Sequence, residues 1–308
     1  MSTIKSRTVK SDLLLLLASA IWGFAFVAQR KGMEFIGPFT FNGVRFALGS
    51  LWLIPFLYRR RSVFWYNPKS QPAIGMSPIL SGIMLGIILF VGASLQQIGI
   101  IYTTAGKAGF ITGLYVILVP ILGIFLKKSS KPNTWIAAVL ATIGLYFLSV
   151  RGDFTISKGD LLVLLSAFFW AGHVQFIDRL VNKYHPFMLA FLQFITCSVL
   201  SLFAALYFET IVFSLIWKAV IPILYAGLLS VGMGYTLQLF GQREAHPSHA
   251  AIILSLESVF AVLGGFVILN EVLQVREMSG CILMLSAMIL SQLRFKKSGR
   301  VVVNETRV

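Results

Sequence analysis

Three ionisable side chains lie inside long apolar stretches of the sequence. Glu257 is near the centre of the stretch 247–269, Arg45 lies in 38–58, and His173 lies in 159–180. Burying a charge in a membrane costs at least roughly 2.5–3.5 kcal/mol on insertion scales, so such residues are functional candidates. Glu257 is expected to carry a proton or to pair with a substrate amine. His173 is the second proton-coupling candidate, because histidine titrates near neutral pH. A structural hydrogen bond is the alternative for both.

Four uncharged side chains with binding chemistry occupy matched positions in the sequence. Trp22 and Trp170 are 148 residues apart, and Gln96 and Gln238 are 142 residues apart. Two indole rings could hold a planar or cationic solute, with core packing as the alternative. The two glutamines are candidates for a gate or for substrate contact, and hydrogen bonding between helices is the alternative.

The sequence lacks the patterns that would indicate an enzyme or a metal protein. It contains no nucleotide-binding G-x-x-x-x-G-K-[ST] loop, no HExxH and no GxSxG motif. Cys197 and Cys281 lie in apolar stretches, and His246 and His249 have no carboxylate or cysteine close enough in sequence to complete a metal site. We therefore predict no catalytic residues, no metal and no cofactor.

The composition places these residues in a membrane protein. Hydrophobic residues make up 57% of the 308 residues and charged residues only 12%, whereas a soluble domain carries roughly 25% charged residues. The formal net charge is +15. The basic residues form short clusters between apolar stretches instead of one continuous basic face, so nucleic-acid binding is not expected.

Apolar stretches of about 20 residues, the length that spans a bilayer as a helix, recur along the whole chain. None alternates in the manner of barrel strands, so helices are predicted. The apolar stretch at the N-terminus is too long for a cleaved signal peptide. We predict ten transmembrane helices near 12–30, 38–58, 77–102, 106–126, 132–150, 159–180, 186–207, 217–241, 247–269 and 274–293.

The distribution of lysine and arginine predicts the orientation of these helices. The two termini and the even-numbered loops hold 18 of these residues, and the other side holds 7. By the positive-inside rule, both termini are cytoplasmic, and the protein is expected in the cell inner membrane. Residues 1–11 and 294–308 are predicted to be basic cytoplasmic tails.

An internal repeat divides the chain into two parts. The segment from Asp12 to Trp22 resembles the segment from Asp160 to Trp170 at an offset of 148 residues, and further along the offset becomes 142. Each part holds an odd number of predicted helices, so the second part would enter the membrane from the opposite side. We predict two inverted five-helix repeats, 12–150 and 159–293, with a substrate site between them near the bilayer midplane.

The order of several motifs resembles the drug/metabolite transporter superfamily, in its ten-helix type with two EamA-like repeats. The resemblance covers nearly the whole chain. It implies a central cavity lined mainly by helices 1, 3, 4, 6, 8 and 9, which leaves Arg45 of helix 2 outside the main cavity wall. Arg45 is therefore expected to pair with a carboxylate or with helix-end carbonyls, and direct substrate contact is the alternative. The motifs are Trp22 and Trp170, Arg45 after Pro38, Lys107–Gly113 with Pro120, Leu256-Glu257-Ser258 and Asn270-Glu271.

The resulting prediction is a secondary transporter, and more specifically an exporter. Its partners would be a small organic solute, such as an amino acid, an amine or a related metabolite, and the lipid bilayer. It would act as a monomer or weak homo-oligomer by alternating access. The alternatives are a flippase for lipid-linked substrates or a non-transporting membrane subunit, and then an integral-membrane lipid enzyme.

Overall fold

The fold is built from α-helices. The computed structural model describes residues 2–59, 76–103, 105–128, 130–149, 157–269 and 275–292, and these ranges contain helices and turns without a β-strand. Helices satisfy all backbone hydrogen bonds within one segment, which lipid requires. The predicted all-helical class is confirmed. The tail predicted at 294–308 and the Asn270-Glu271 motif lie outside the described residues.

The first part of the chain begins with a helix longer than predicted. α1 starts at Ser2, well before the predicted span at 12–30, because neither proline nor glycine interrupts the sequence before Gly23. The predicted tail 1–11 is therefore mostly a helical extension of α1. The helices of this part are α1 (Ser2–Gly32), α2 (Pro38–Arg59), α3 (Pro78–Tyr102), α4 (Ala105–Gly113), α5 (Tyr115–Phe125) and α6 (Pro132–Ser149).

The second part of the chain contains an irregular segment where the sequence predicts one span at 217–241. Residues Tyr225–Tyr235 form a π-helical segment between two short α-helices. Such segments are rare and are frequent at functional sites. The helices of this part are α7 (Lys158–Leu180), α8 (Pro186–Phe208), α9 (Phe213–Lys218), α10 (Val220–Leu224), α11 (Thr236–Gln242), α12 (Pro247–Leu254), α13 (Glu257–Leu269) and α14 (Val275–Gln292).

The protein is a multi-pass membrane protein. Seven helical stretches among the described residues are long and apolar enough to cross a membrane. Two shorter apolar helices, Pro132–Phe147 and Met278–Ser291, and the 22-residue α2 correspond to the other predicted spans. The count of ten spans thus stays a prediction. Large apolar side chains are exposed on the outer surface, where lipid would cover them; examples are Leu51, Phe203 and Leu206.

Hydrogen bonds join the two predicted repeats at the end of the bundle where α1 begins and α14 ends. Lys128 forms an ion pair with Asp178 and a 3.3 Å hydrogen bond to Gln175. His249 bridges two helices, with Nε2 2.9 Å from Asp12 Oδ1 and Nδ1 2.9 Å from Ser291 Oγ. His249 is thus held in place by protein groups.

Other contacts join the repeats at the opposite end of the bundle. The Thr103 hydroxyl hydrogen-bonds the Asp160 carboxylate, which also completes a capping box with Ser157 at the start of α7. Glu209 accepts hydrogen bonds from the backbone N–H groups of Phe39 and Thr40, at 2.7 and 2.8 Å. A carboxylate at a helix N-terminus satisfies donors that have no partner within the helix. Glu209 therefore fixes the start of α2 against the second repeat.

Candidate functional site

A central cavity lies between helices of both parts of the chain. Together with the space open to solvent, its empty volume is about 530 Å³. Its walls come from α1, α2, α3, the α4–α5 pair, α7, the π-helical segment, α11 and the α12–α13 pair. The lining residues are Trp22, Phe26, Gln29, Arg45, Gln96, Thr112, Tyr115, Trp170, His173, Val174, Ser230, Tyr235, Gln238, Leu254 and Glu257.

The structure brings every site residue selected from the sequence to this one cavity. Six were expected there, and Arg45, which was expected outside the main cavity wall, lines it as well. Their roles in binding or transport stay predictions, because a shared cavity is a geometric fact and not a functional test. The seven residues are Trp22, Arg45, Gln96, Trp170, His173, Gln238 and Glu257.

Aromatic rings gather around Tyr235, at the end of the π-helical segment. The Tyr235 ring lies 4.7 Å from Trp22 and 6.1 Å from Trp170, between ring centroids, and the ring of Trp170 is stacked on it. Trp22 Nε1 donates a 3.1 Å hydrogen bond to the Ser230 carbonyl. A Cβ atom on Gly234 would lie 2.5 Å from Trp22 Nε1, so glycine is required for this approach. The two tryptophans form one aromatic wall with Tyr235.

Arg45 does not make the ion pair expected from the sequence. Among the described residues no carboxylate lies within 4.0 Å of it, and its side chain is 3% exposed. Its guanidinium carbon instead lies 5.5 Å from the Phe41 ring centre and 5.0 Å from that of Phe46. Arg45 Nε has no hydrogen-bond partner in the part of the chain that the structure describes. The aromatic rings hold the cation in place without neutralising it.

Glu257 is the second buried ionisable side chain on the cavity. It is 5% exposed, and its Oε1 atom accepts no hydrogen bond from the described residues. The Tyr115 hydroxyl faces this carboxylate and interacts with it, although the two groups do not meet the geometry of a regular hydrogen bond. Tyr235 lies within electrostatic range of both Glu257 and Arg45. The cavity therefore contains one acidic and one basic side chain that are not paired with each other.

The two glutamines have different partners. Gln96 Nε2 donates a 3.1 Å hydrogen bond to Thr112 Oγ1, whereas Gln238 Oε1 has no partner among the residues described above. Several other buried polar atoms of the lining residues also have no hydrogen-bond partner among the described residues. The acceptors are Gln29 Oε1, Gln238 Oε1, Glu257 Oε1 and His173 Nδ1; the donors are Arg45 Nε, Trp170 Nε1 and the Tyr115 hydroxyl, which can also accept. Because buried polar atoms are normally hydrogen-bonded, this concentration suits a polar ligand.

Helix breaks occur at matched positions in the two repeats. α4 ends at Gly113 and α5 begins at Tyr115, while α12 ends at Leu254 and α13 begins at Glu257. Tyr115 and Glu257 are separated by the 142-residue offset of the repeat. Both are the first residue of a helix that follows a break, and both line the cavity. The sequence predicts each span as one uninterrupted stretch, because both sequences are apolar throughout.

Several cavity residues are not among those selected from the sequence. Tyr115 could have been found as the repeat counterpart of Glu257. Thr112 lies on α4, 16 residues after Gln96 on α3, so only the packing of these helices reveals their hydrogen bond. Tyr235, Gln29 and Ser230 carry no such signal, since polar and aromatic residues also occur elsewhere in the apolar stretches. Their role depends on packing between helices distant in sequence.

Comparison with known proteins relates the chain to one family of membrane proteins. The model of the EamA-like transporter family matches the chain twice, at residues 9–150 and 157–293. An uncharacterized transporter of Archaeoglobus fulgidus is 34% identical over 94% of this chain and 87% of its own length. The uncharacterized transporter YoaV of Bacillus subtilis is 26% identical over 94% of this chain and 99% of its own length.

A more distant relative and one solved structure extend the comparison. A probable amino-acid metabolite efflux pump of Salmonella typhimurium is 23% identical over 93% of this chain and 96% of its own length. A protein crystal structure superposes with a TM-score of 0.75 and 17% identity, covering 92% of this chain and 96% of that one. This structural similarity shows a shared fold. The double match over most of the chain shows that the protein belongs to the EamA-like transporter family, a family of transporters and not of enzymes.

Proposed function

We propose that the protein is a secondary transporter that exports a small zwitterionic solute, of the amino-acid type, by alternating access to the central cavity. The proposed architecture is ten spans in two inverted repeats, 12–150 and 159–293. Both termini are cytoplasmic, in the inner membrane of the cell. The protein acts as a monomer or weak homo-oligomer.

The observation that carries this proposal is that one acidic and one basic side chain are buried on the same cavity and do not pair with each other. Arg45 and Glu257 are 3% and 5% exposed, and neither has a partner of opposite charge within 4.0 Å among the described residues. A buried ionisable group without a partner costs the empty protein stability, whether it stays charged or becomes neutral. A ligand that carries both a carboxylate and an ammonium group would supply both partners at once.

The chemistry of each side chain fits one end of such a solute. A guanidinium donates in a planar fork that matches a carboxylate. The Glu257 carboxylate accepts hydrogen bonds only, as an ammonium group requires. The wall formed by Trp22, Trp170 and Tyr235 would cover an apolar or aromatic side group. The Salmonella relative described as a probable amino-acid metabolite efflux pump supports the same class of solute.

Support for the inverted repeats comes from pairs of cavity residues. Trp22 with Trp170 and Phe26 with Val174 are 148 residues apart, and all four line the cavity. Three further pairs at the 142-residue offset do so too, namely Gln96 with Gln238, Thr112 with Leu254, and Tyr115 with Glu257. Equivalent positions of two repeats thus face the same space, as expected for a site at the repeat interface.

The proposal is tested by binding of a matched series of solutes. The series consists of an aromatic amino acid, its decarboxylated amine and the α-hydroxy acid that lacks the amino group. A ligand that binds only the folded protein raises the melting temperature, so thermal unfolding of the purified protein in detergent reports binding. We expect the amino acid to stabilise the protein most.

Transport is then measured in proteoliposomes loaded with the best ligand. Efflux that wild-type protein accelerates, and that the unlabelled amino acid inhibits, supports the proposal. A protein that ignores the whole series but is stabilised by a lipid-linked sugar would instead be a flippase, and the zwitterion proposal would be rejected.

A further inference from the structure

Among the described residues, the His173 side chain makes one hydrogen bond, to a residue that does not line the cavity. Its Nε2 atom lies 2.8 Å from Oε1 of Gln193, which is fully buried on α8 and does not line the cavity. The Nδ1 atom has no partner among the described residues, although His173 is only 1% exposed and lines the cavity. The two ring nitrogens thus have different surroundings.

The amide oxygen of Gln193 determines which nitrogen carries the proton. In the structure this oxygen faces the ring and the Gln193 Nε2 atom has no partner among the described residues. Because a carbonyl oxygen only accepts hydrogen bonds, this orientation makes the Nε2 atom of His173 the donor. In a neutral imidazole the other nitrogen, Nδ1, then has a lone pair and accepts. The ring plane is fixed as well, because Trp170 and Tyr235 both lie edge-on to it at 6.1 Å. His173 consequently presents a fixed acceptor.

We propose that Gln193 is a positioning residue that holds His173 in the Nε2–H tautomer, so that Nδ1 accepts a hydrogen bond from the ammonium group of the solute. The substrate part of this proposal rests on the proposed function, and the tautomer part does not. His173 is then a second acceptor for the ammonium group beside Glu257. In this role the His173 ring stays neutral and contributes to solute selection, and it does not carry a transported proton.

The internal repeat shows how this role differs between the two parts of the chain. Gln193 is the counterpart of Arg45 at the 148-residue offset, and His173 is the counterpart of Ala25. In the first repeat the α2 side chain reaches the cavity itself. In the second repeat the α8 side chain is shorter and acts through the histidine. The first repeat therefore contributes a hydrogen-bond donor, Arg45, and the second repeat contributes an acceptor, Nδ1 of His173.

Nitrogen NMR of the wild-type protein tests the tautomer directly. The chain contains four histidines, so selective ¹⁵N labelling gives four pairs of ring signals, and His173→Asn identifies the pair that belongs to His173. We expect a neutral ring with the proton on Nε2. A neutral ring with the proton on Nδ1, or a doubly protonated ring, near neutral pH would overturn the proposal whether or not any solute binds.

Binding of the amino acid as a function of pH tests the role of Nδ1. Gln193→Glu still accepts from Nε2 but favours a doubly protonated ring, which turns Nδ1 into a donor that repels an ammonium group. We expect the variant to lose affinity at least tenfold more than wild type as the pH falls from 8 to 6. The α-hydroxy acid, whose hydroxyl can also accept, should lose much less. The titratable groups that share the cavity are Arg45, Glu257, Tyr115 and Tyr235, and they are identical in both proteins.

Gln175→Glu is the matched control. Gln175 is a buried glutamine on the same helix, but its amide donates to the Val119 carbonyl at 2.7 Å and it does not line the cavity. This variant should bind the amino acid with the pH dependence of wild type. If Gln193→Glu also does so while NMR shows a doubly protonated His173, Nδ1 does not contact the ammonium group. If wild type binds no member of the series, the proposed function fails, and the NMR result still decides the tautomer.

Discussion

Replacing Glu257 by glutamine is expected to change binding and stability in opposite directions. Glutamine keeps the shape and hydrogen-bonding capacity of the side chain but removes its charge. In the empty protein this charge is buried and has no partner of opposite charge among the described residues. Glu257→Gln should therefore leave the melting temperature unchanged or raise it, because it removes a buried ionisable group that has no partner of opposite charge.

The expected loss of affinity follows from the hydrogen bond to the ammonium group. A hydrogen bond that involves a charged group contributes roughly 1.5–3 kcal/mol, and a neutral one roughly 0.5–1.5 kcal/mol. The substitution should thus weaken binding of the amino acid by about 1–2 kcal/mol, which is about a 5- to 30-fold increase in Kd. The α-hydroxy acid carries no ammonium group, so its Kd should change much less.

Glu209→Gln provides a control with the opposite pattern. The Glu209 carboxylate uses both oxygens, accepting from the Phe39 and Thr40 N–H groups at 2.7 and 2.8 Å, and it lies outside the cavity. Glutamine has one acceptor oxygen, so this variant should lose about 0.5–2 kcal/mol of stability, as at a helix N-cap. Its Kd for the amino acid should be unchanged.

Both variants are measured by ligand titration and by thermal unfolding in the same detergent. The interpretation of Glu257 as an ammonium partner is refuted if Glu257→Gln binds the amino acid within twofold of wild type. It is refuted as well if the amino acid and the α-hydroxy acid lose affinity equally. In either case the carboxylate is a packing residue.

Two further pairs of variants test the packing and the proposed movement. Gly23→Ala should lower the melting temperature, because its Cβ would lie 2.4 Å from a side-chain atom of α13. Overpacking of this kind typically costs about 1–3 kcal/mol of stability. Gly172→Ala should not lower the melting temperature, since its Cβ would meet no atom within 4 Å; equal melting temperatures would contradict this packing. Asp12→Asn and Asp160→Asn weaken hydrogen bonds between the repeats at opposite ends of the bundle. Each variant should increase thiol labelling of a cysteine substituted for Gln96 from one side of the membrane, and that side should differ between the two variants. If both variants increase labelling from the same side, alternating closure at these contacts is excluded.

The sequence by itself determined the membrane class, the helices and the residues worth testing. Apolar length and the shortage of charge require helices, because lipid offers no partner for backbone polar groups. Glu257, Arg45 and His173 stand out because ionisable residues are rare within such stretches. The two offsets also linked Trp22 with Trp170 before any contact was known.

Only the tertiary structure decided what surrounds these residues. The sequence cannot show that Arg45 faces the cavity over Phe41 and Phe46 instead of pairing with a carboxylate, since that depends on the rotation of α2 against its neighbours. Nor can it show the helix break before Glu257, because an apolar stretch has the same pattern whether the helix is continuous or interrupted. The Gln193 contact to His173 joins two helices whose facing sides are set by side-chain packing. Periodicity and apolar length predict that helices form, whereas the packing of one helix against another determines which polar atoms meet.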